Sequence, residues 1–239
     1  MSKKILVSTI VRDRNRFLPR WAAQLSKLCS LKSDYTFYLS VYENDSKDGS
    51  QETLNSLSFE GFKDVSIISE TLGTRSFGSV RNDLRVKLLA EARNKSLYEN
   101  SFLKDCDYVL SVEPDIVYNP EDMLPIIEDD NYDILSARSL MYNPAPVNHL
   151  YDTWATRNTE NHLDWQPNVH FKDLIDVWST YNCFCRYVAK PIIDGVTFDY
   201  FNDRLNRADC DTTVICENFR KHGFSKIGLH GACNVLHLS

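Results

Sequence analysis

Two acidic side chains, one residue apart, follow an apolar run near the middle of the chain. The run is Tyr108-Val-Leu-Ser-Val112, and Glu113 and Asp115 flank Pro114 directly after it. Ionised carboxylates are costly to bury without a partner, so packing alone does not account for acids at the end of a buried strand. Two hard oxygen donors at this place, where open α/β sheets bind their ligands, suit Mg²⁺ or Mn²⁺ carrying a diphosphate. The pattern predicts a metal site, with an ordinary solvated turn as the alternative.

Two histidines near the end of the chain are candidates for a third protein ligand. His230 follows Ile227-Gly-Leu229, and His237 lies within Val235-Leu-His-Leu238. Neutral imidazole is a common metal ligand, and either histidine suits a cation that two carboxylates already hold. Each can equally be a structural residue that only makes a hydrogen bond. The sequence leaves open which histidine, if either, binds the metal.

A turn of polar residues after a second apolar run is a candidate nucleotide site. Its sequence is Tyr42-Glu-Asn-Asp-Ser-Lys-Asp-Gly49. Glu43 directly follows the run, and an acid at such a strand end can accept hydrogen bonds from a ribose or base. Asp45 lies in the same turn, and Asp48 either contacts the nucleotide or caps the following helix. Arg12, after the first apolar run, is predicted to line the same pocket.

Arg93 and Asn94 precede the acidic pair by about twenty residues. They lie near the end of a stretch with helical spacing, residues 77–98. A guanidinium beside a metal site can hold the acids or the phosphates of a ligand, and an exposed arginine is the alternative. We predict that Arg93 and Asn94 contact the nucleotide-bearing substrate.

Asp209 and Asp211 begin an amphipathic helix in the last quarter of the chain. Acids in the first turn of a helix interact favourably with the helix dipole and cap free amides, so a structural role explains them. One of them can instead orient an acceptor hydroxyl or stabilise an oxocarbenium-like sugar. The sequence does not separate the two acids as catalytic candidates.

The order of elements predicts the sheet that must position these residues. Strand and helix signals alternate through the first half, which is typical of a mainly parallel sheet with helices on both faces. The predicted strands are 5–11, 36–42, 65–69 and 108–112, and the helices between them are 16–28, 51–57 and 77–98. The second half is less regular, with a helix at 121–127, strands at 132–137 and 177–187, a helix at 211–222 and two short final strands.

The segment 141–171 has little periodicity and is rich in Asn, Pro, Trp and His. A stretch of that length within a compact domain is usually a functional loop region. Asp152, Trp154 and Arg157 lie within it, and we expect them to shape the side of the site that binds an acceptor, since aromatic faces suit stacking on sugar rings.

Composition excludes several classes of protein. The chain has 239 residues, 43% of them hydrophobic and 25% charged, which fits one globular domain over 1–239. A net charge of -6 argues against nucleic-acid binding. No run of about 18 apolar residues indicates a transmembrane segment. Seven cysteines without regular spacing indicate a reduced compartment, so a soluble cytoplasmic protein is expected.

Together these residues resemble the fungal capsule-associated family that contains the cryptococcal α-1,3-mannosyltransferase. The similarity extends over nearly the whole chain. It rests on the motifs Thr9-Ile-Val-Arg12 with Leu18-Pro19, Tyr42-Glu-Asn-Asp-Ser-Lys-Asp-Gly49, Arg93-Asn94, Tyr151-Asp-Thr-Trp-Ala-Thr-Arg157, Trp178-Ser-Thr-Tyr-Asn-Cys183 and Cys216-Glu-Asn-Phe-Arg-Lys-His-Gly223.

The resemblance implies a single-domain α/β glycosyltransferase of GT-A type. It implies a GDP- or UDP-sugar donor, expected to be GDP-mannose, a glycan acceptor, a Mn²⁺ or Mg²⁺ cofactor and retention at the anomeric carbon. Residues 1–118 would form the nucleotide-binding half and residues 119–239 the acceptor-binding half. Two alternatives remain: a noncatalytic carbohydrate-binding protein on the same fold, and a nucleotidyltransferase that makes a nucleotide sugar. The second normally has a glycine-rich loop after the first strand, and Val11-Arg-Asp-Arg-Asn-Arg16 contains no glycine.

Overall fold

A computed structural model describes residues 2–78, 81–141, 150–160 and 172–238. Its strands are β1 (Lys4–Val11), β2 (Thr36–Asn44), β3 (Phe62–Glu70), β4 (Tyr108–Val112), β5 (Ile116–Val117), β6 (Ile134–Met141), β7 (Leu174–Asp176), β8 (Phe184–Val188), β9 (Phe201–Asn202), β10 (Arg207–Ala208) and β11 (Ile227–His237). The main sheet has the order β3-β2-β1-β4-β8-β6-β11-β5, and β7 also pairs with β11. Strands β9 and β10 form a separate antiparallel ribbon.

Six of the nine strands that the structure describes in the main sheet run in the same direction. Strands β1, β2, β3 and β4 pair in parallel, as do β6 and β11. Strand β8 lies antiparallel between β4 and β6, while β5 and β7 pair antiparallel with β11. The prediction of a mainly parallel sheet is confirmed.

Helices cover both faces of the sheet, as predicted. They are α1 (Leu18–Leu31), α2 (Ser50–Ser56), α3 (Asp83–Tyr98), α4 (Leu124–Glu128), α5 (Ala189–Ile193) and α6 (Asp211–Lys221). Buried side chains of α1, α2 and α4, such as Trp21 and Leu54, share one core cluster. Those of α3, α5 and α6, such as Leu97 and Phe219, share the other. Within the described ranges, no helix has the length and apolar character to cross a bilayer.

Helix α3 begins at Asp83, not at residue 77, because Asn82 caps it by accepting a hydrogen bond from the Arg85 amide. Leu84, in the first turn of α3, is apolar but 49% exposed. The buried face instead includes Arg93 and Ser96. Because two polar side chains occupy buried positions, hydrophobic spacing does not mark which side of α3 faces the sheet.

The second half departs most from the predicted elements. One strand, β11, replaces the two short final strands, with an irregularity between His230 and Asn234. The predicted strand 177–187 is regular only from Phe184, since Asn182 and Cys183 have positive φ and form a turn. Of the predicted loop region 141–171, residues 142–149 and 161–171 lie outside the described residues. The main sheet contains strands from both sides of residue 118, and the division of function at that point stays a prediction.

The Gly61 turn provides a test of the packing between β3 and α1. Gly61 has φ +84°, and a Cβ there would lie 2.6 Å from the Cys29 Cβ, whereas Gly73, with φ +67°, has nothing within 4 Å of that position. We expect G61A to lower the free energy of unfolding by about 3 kcal/mol, from backbone strain and overpacking together. G73A should lower it by only about 1 kcal/mol, from strain alone. Urea denaturation measures both, and equal losses would contradict the close approach.

Candidate active site

The carboxyl ends of β1, β2 and β4 meet at one edge of the sheet because these strands are parallel. Strand β5, after the acidic pair, turns back and pairs with the end of β11, so that Ile116 lies opposite His237. The Leu238 amide donates to the Asp115 carbonyl at 2.8 Å. This pairing brings the His237 Nε2 atom to 3.5 Å from the Asp115 Oδ2 atom. Backbone pairing therefore unites a histidine and an acid 122 positions apart in the sequence.

Asp115 is a buried, charged carboxylate that is only partly satisfied. Its side chain forms an ion pair with Arg14, with 2.8 Å between Nε and Oδ2. Burial by itself would raise the pKa of Asp115, but the hydrogen bond from His237 and the charges of His237 and Arg14 outweigh it and lower that pKa. The Oδ1 atom is buried and has no hydrogen-bond partner among the described residues. A buried carboxylate oxygen without a partner fits a cation-binding position.

Glu113 joins this group from the end of β4. Its amide donates to the Cys183 carbonyl at 2.9 Å, and its Oε1 atom lies 3.0 Å from Arg93. Potential ligand atoms of Glu113, Cys183 and His237 all lie within 4.8 Å of one another. The structure thus brings together three of the four predicted metal ligands, Glu113, Asp115 and His237, and adds a thiol.

The fourth predicted ligand, His230, lies elsewhere. It is seven residues before His237 on β11, opposite Leu174 of β7 and Ala137 of β6. Burial lowers the pKa of His230, opposed by the charge of Asp129. The geometry therefore separates the two histidines that the sequence leaves equivalent.

Arg93 lies at the centre of the site and binds three side chains from three different elements. Its Nε bonds to Asp211 at 2.9 Å, Nη1 to the Tyr181 hydroxyl at 2.6 Å and Nη2 to Glu113 at 3.0 Å. Burial would lower the pKa of Arg93, but the charges of its partners raise it well above the ordinary value. Asp211, the first residue of α6 and only 4% exposed, is thereby held next to Glu113.

Asp209 and Asp211 have different environments, although one residue separates them. Asp209 pairs with both terminal nitrogens of Arg157, at 2.6 and 2.8 Å, and also accepts from the Asn202 side chain and the Cys210 amide. Burial would raise the pKa of Asp209, and the Arg157 contact outweighs it and lowers that pKa. Arg157 is only 1% exposed. The Arg157–Asp209 pair is thus internal, and it fixes the start of α6 against residues 150–157.

The described segment 150–157 forms a wall of the site. The Tyr151 ring stacks on His237 with centroids 3.6 Å apart. Asp152 accepts the Asn182 amide at 2.9 Å. Burial, with the charges of Glu113 and Asp211, outweighs that hydrogen bond and raises the pKa of Asp152 to about 6. The Arg81 guanidinium lies 5.1 Å from the centre of the Trp154 ring.

The acids of the turn after β2 bind backbone amides. Glu43 is 2% exposed and accepts from the Ser46 amide at 2.9 Å. Asp45 accepts hydrogen bonds from the backbone amides of residues 72–74. Burial would raise the pKa of Asp45, but the hydrogen bonds from the Thr74 hydroxyl and from these amides outweigh it and lower that pKa. Asp48 accepts from the amides of Asn15 and Ser50. It lies one residue before Gly49, which is the N-cap of α2.

Arg12 and Asn94 also make structural contacts. Arg12 donates to the hydroxyl and carbonyl oxygens of Thr74, at 2.8 and 2.6 Å. Together with Asp45 it ties the loop after β1 to the loop after β3. The Asn94 side chain donates a hydrogen bond to the Phe198 carbonyl and accepts one from the Phe198 amide. The predicted contact of Asn94 with a donor is therefore not favoured by its position.

Sequence reasoning missed three residues of the site. Arg14 lies in the loop after β1, from which the sequence analysis drew only the absence of a glycine-rich motif. Tyr181 and Cys183 lie within the motif Trp178–Cys183 that supports the family resemblance. That motif was a signal for the region but did not indicate which side chains face the acids.

The family model described as cryptococcal mannosyltransferase 1 matches residues 4–216. No curated protein matches the chain. The chain is similar in fold to S. aureus TarS 1-349 crystallised with UDP, with a TM-score of 0.54, 13% identity, and coverage of 98% of this chain and 60% of that one. It is also similar to Mycobacterium tuberculosis glucosyl-3-phosphoglycerate synthase crystallised with Mg²⁺ and UDP. For that structure the TM-score is 0.51, the identity is 12%, and the match covers 100% of this chain and 72% of the other.

The sheet, the helices on both faces and these similarities show that the chain has the GT-A fold. The chain belongs to the cryptococcal mannosyltransferase family, whose model matches most of its length, and the resemblance inferred from the motifs is confirmed. The chain spans about 60% of the TarS 1-349 chain that it resembles.

The Arg157–Asp209 pair allows a prediction about stability. We expect R157A to lower the free energy of unfolding by about 3 to 5 kcal/mol, because it leaves the buried Asp209 carboxylate without its cation. The double variant R157M/D209L removes both charges and should recover most of that loss. Urea denaturation at neutral pH measures the two variants. A double variant as unstable as the single one would contradict this account of the pair.

The environment of Asp152 predicts a pH-dependent contribution to stability. Its folded pKa of about 6 exceeds the unfolded value of about 3.9, so the native state holds its proton more tightly. Relative to D152N, which keeps an oxygen acceptor for the Asn182 amide, the parent protein should lose about 2 kcal/mol of stability as the pH rises from 4 to 7. Unfolding curves in EDTA at several pH values measure this difference, and parallel pH profiles would refute it.

Proposed function

We propose that the chain transfers mannose from GDP-mannose to a glycan acceptor, with a divalent cation and with retention at the anomeric carbon. The observation that carries the proposal is the meeting of Glu113, Asp115 and His237 at the carboxyl edge of the sheet. Arg93 and Asp211 lie directly beside them. Open α/β sheets bind their ligands at this edge.

The donor set of the proposed metal site suits Mn²⁺ or Mg²⁺. Two carboxylates and an imidazole are hard or borderline ligands, and the buried Asp115 Oδ1 atom without a partner supports a cation there. Glu113, Asp115 and His237 would hold the cation, which would supply Lewis-acid stabilisation of the negative charge on a leaving diphosphate. Arg14, which contacts Asp115 and whose side chain is 41% exposed, supplies a second positive charge for the same phosphates.

Residues 1–118 provide most of the donor side in this proposal. Glu43 and Arg12 line the nucleotide pocket between the ends of β1 and β2. Asp45 and Asp48 shape it by binding the amides of neighbouring loops. Mannose as the sugar is supported by the description of the matching family, and GDP as its carrier by the resemblance of the motifs. The two structural relatives named above were crystallised with UDP, so the base requires a direct test.

Asp211 is the acid that we assign to the reacting sugar. Its carboxylate is held by Arg93 near Glu113, whereas Asp209 is occupied by Arg157. A carboxylate there stabilises positive charge at the anomeric carbon as the diphosphate departs. Asp152, with a pKa of about 6, accepts the proton of the acceptor hydroxyl, and Trp154 offers an aromatic face to the acceptor sugar.

A donor screen tests this function directly. The melting temperature is measured with GDP, UDP and their sugars, each with and without Mn²⁺, and radiolabelled sugar transfer to glycan acceptors follows. Stabilisation by GDP-mannose with Mn²⁺, and a product with retained anomeric configuration by NMR, is the expected result. Synthesis of GDP-mannose from GTP and mannose 1-phosphate would identify a nucleotidyltransferase. Glycan binding with no nucleotide binding would identify a noncatalytic protein.

The two histidines of β11 form a matched pair for testing the metal assignment. H237A should lower Mn²⁺-dependent sugar transfer by about 100-fold and weaken Mn²⁺ binding, because it removes a ligand. H230A, from the same strand but opposite β7, should retain transfer within about threefold. Activity and Mn²⁺ binding, followed by electron paramagnetic resonance, are measured on both. Equal losses in the two variants would overturn the assignment of His237.

A further inference from the structure

We propose that Cys183, Glu113 and His237 form a thiolate-containing site that binds ions of the Zn²⁺ class. This site shares Glu113 and His237 with the proposed donor metal but replaces Asp115 by a sulfur. It is a property of the protein without donor or acceptor. Its existence therefore does not depend on sugar transfer.

The positions of the three side chains support a shared ion. Their potential ligand atoms lie within 4.8 Å of one another. Ligands at about 2.0 to 2.3 Å from a tetrahedral ion lie roughly 3.3 to 3.8 Å apart, so shifts of about 1 Å bring these atoms into range. Cys183 is 2% and His237 6% exposed, while the Glu113 side chain is 23% exposed. Glu113 is therefore the most exposed of the three side chains.

The backbone holds the Cys183 thiol in this position. Asn182 and Cys183 have φ of +53° and +62°, a left-handed conformation that costs about 1 to 2 kcal/mol for each residue other than glycine. Hydrogen bonds offset this cost: the Cys183 carbonyl accepts the Glu113 amide, and the Asn182 amide donates to Asp152. Such strained residues cluster at functional sites. The turn places a thiol, not an apolar side chain, beside two anions.

Sulfur changes the selectivity of the site. Thiolate with imidazole favours Zn²⁺ and Cd²⁺, whereas oxygen ligands favour Mg²⁺ and Mn²⁺. On binding, the S–H bond breaks, the proton passes to solvent and a sulfur–metal bond forms, with no change of oxidation state. Because the two ligand sets share Glu113 and His237, Zn²⁺ and Mn²⁺ must compete. Zn²⁺ at low concentration should displace Mn²⁺ from the protein.

Cadmium titration provides the test, since the sulfur-to-cadmium charge-transfer band in the ultraviolet reports thiolate ligation. All seven cysteines are buried and none is disulfide-bonded, so control variants are needed. We expect one equivalent of Cd²⁺ to produce the band in the parent protein. C183S should lose the band and bind Cd²⁺ about tenfold or more weakly. C185S is the control, because Cys185 is also buried but belongs to the other core cluster. The C185S variant should keep both the charge-transfer band and the Cd²⁺ affinity of the parent protein.

D115N should also retain the Cd²⁺ band, because Asp115 is not among the three ligands. X-ray absorption of the Zn²⁺-loaded parent protein, which requires no variant, should show one sulfur in the first shell. A band that persists in C183S, or an absorption spectrum without sulfur, would overturn the proposal. A Cd²⁺ band without Mn²⁺-dependent transfer would leave this site standing and refute the proposed metal dependence. Mn²⁺-dependent transfer without the Cd²⁺ band would support the proposed metal dependence and refute the thiolate-containing site.

Discussion

The buried guanidinium of Arg93 is the constraint on which the site depends. A charge in the interior requires partners, and removing any one of them leaves the others incompletely paired. Arg93 finds those partners in Glu113, Tyr181 and Asp211, which come from the end of β4, the turn before β8 and the start of α6. One side chain of α3 therefore determines how residues from both halves of the chain meet.

A second, weaker set of contacts organises the loops around that centre. The acids of the turn after β2 satisfy amides from the loops that follow β1 and β3, where no helix or sheet partner is present. Because backbone amides bind these carboxylates, an acid of this turn such as Glu43 can be almost completely buried. The acids that indicate a ligand in the sequence are thus bound to neighbouring backbone amides in the structure.

Much of the fold was predictable because alternating strands and helices leave a periodic signal. Strand β4 and the acids after it were located correctly, and so was the helix that begins at Asp211. The beginning of α3 was not, since its cap is Asn82 and its buried face includes Arg93, and neither residue adds to a hydrophobic pattern.

 Arg14 was not predicted because its partner Asp115 lies 101 positions away in the sequence. Cys183 was not predicted because Glu113 lies 70 positions before it and His237 lies 54 positions after it. Spacing along the chain carries no information about such contacts, because only the folded sheet brings these side chains together.

By itself, the sequence determined the class of sheet, the strand end that carries Glu113 and Asp115, and the family. These properties depend on local periodicity and on motifs whose residues are near neighbours in the chain. Only the tertiary structure shows that His230 and His237, and likewise Asp209 and Asp211, have different surroundings. The differences follow from the pairing of β5 with β11 and from the arginine that binds each acid. Contacts between distant segments form only when the core packs, and they determine which charged side chains have partners and which remain open to a ligand.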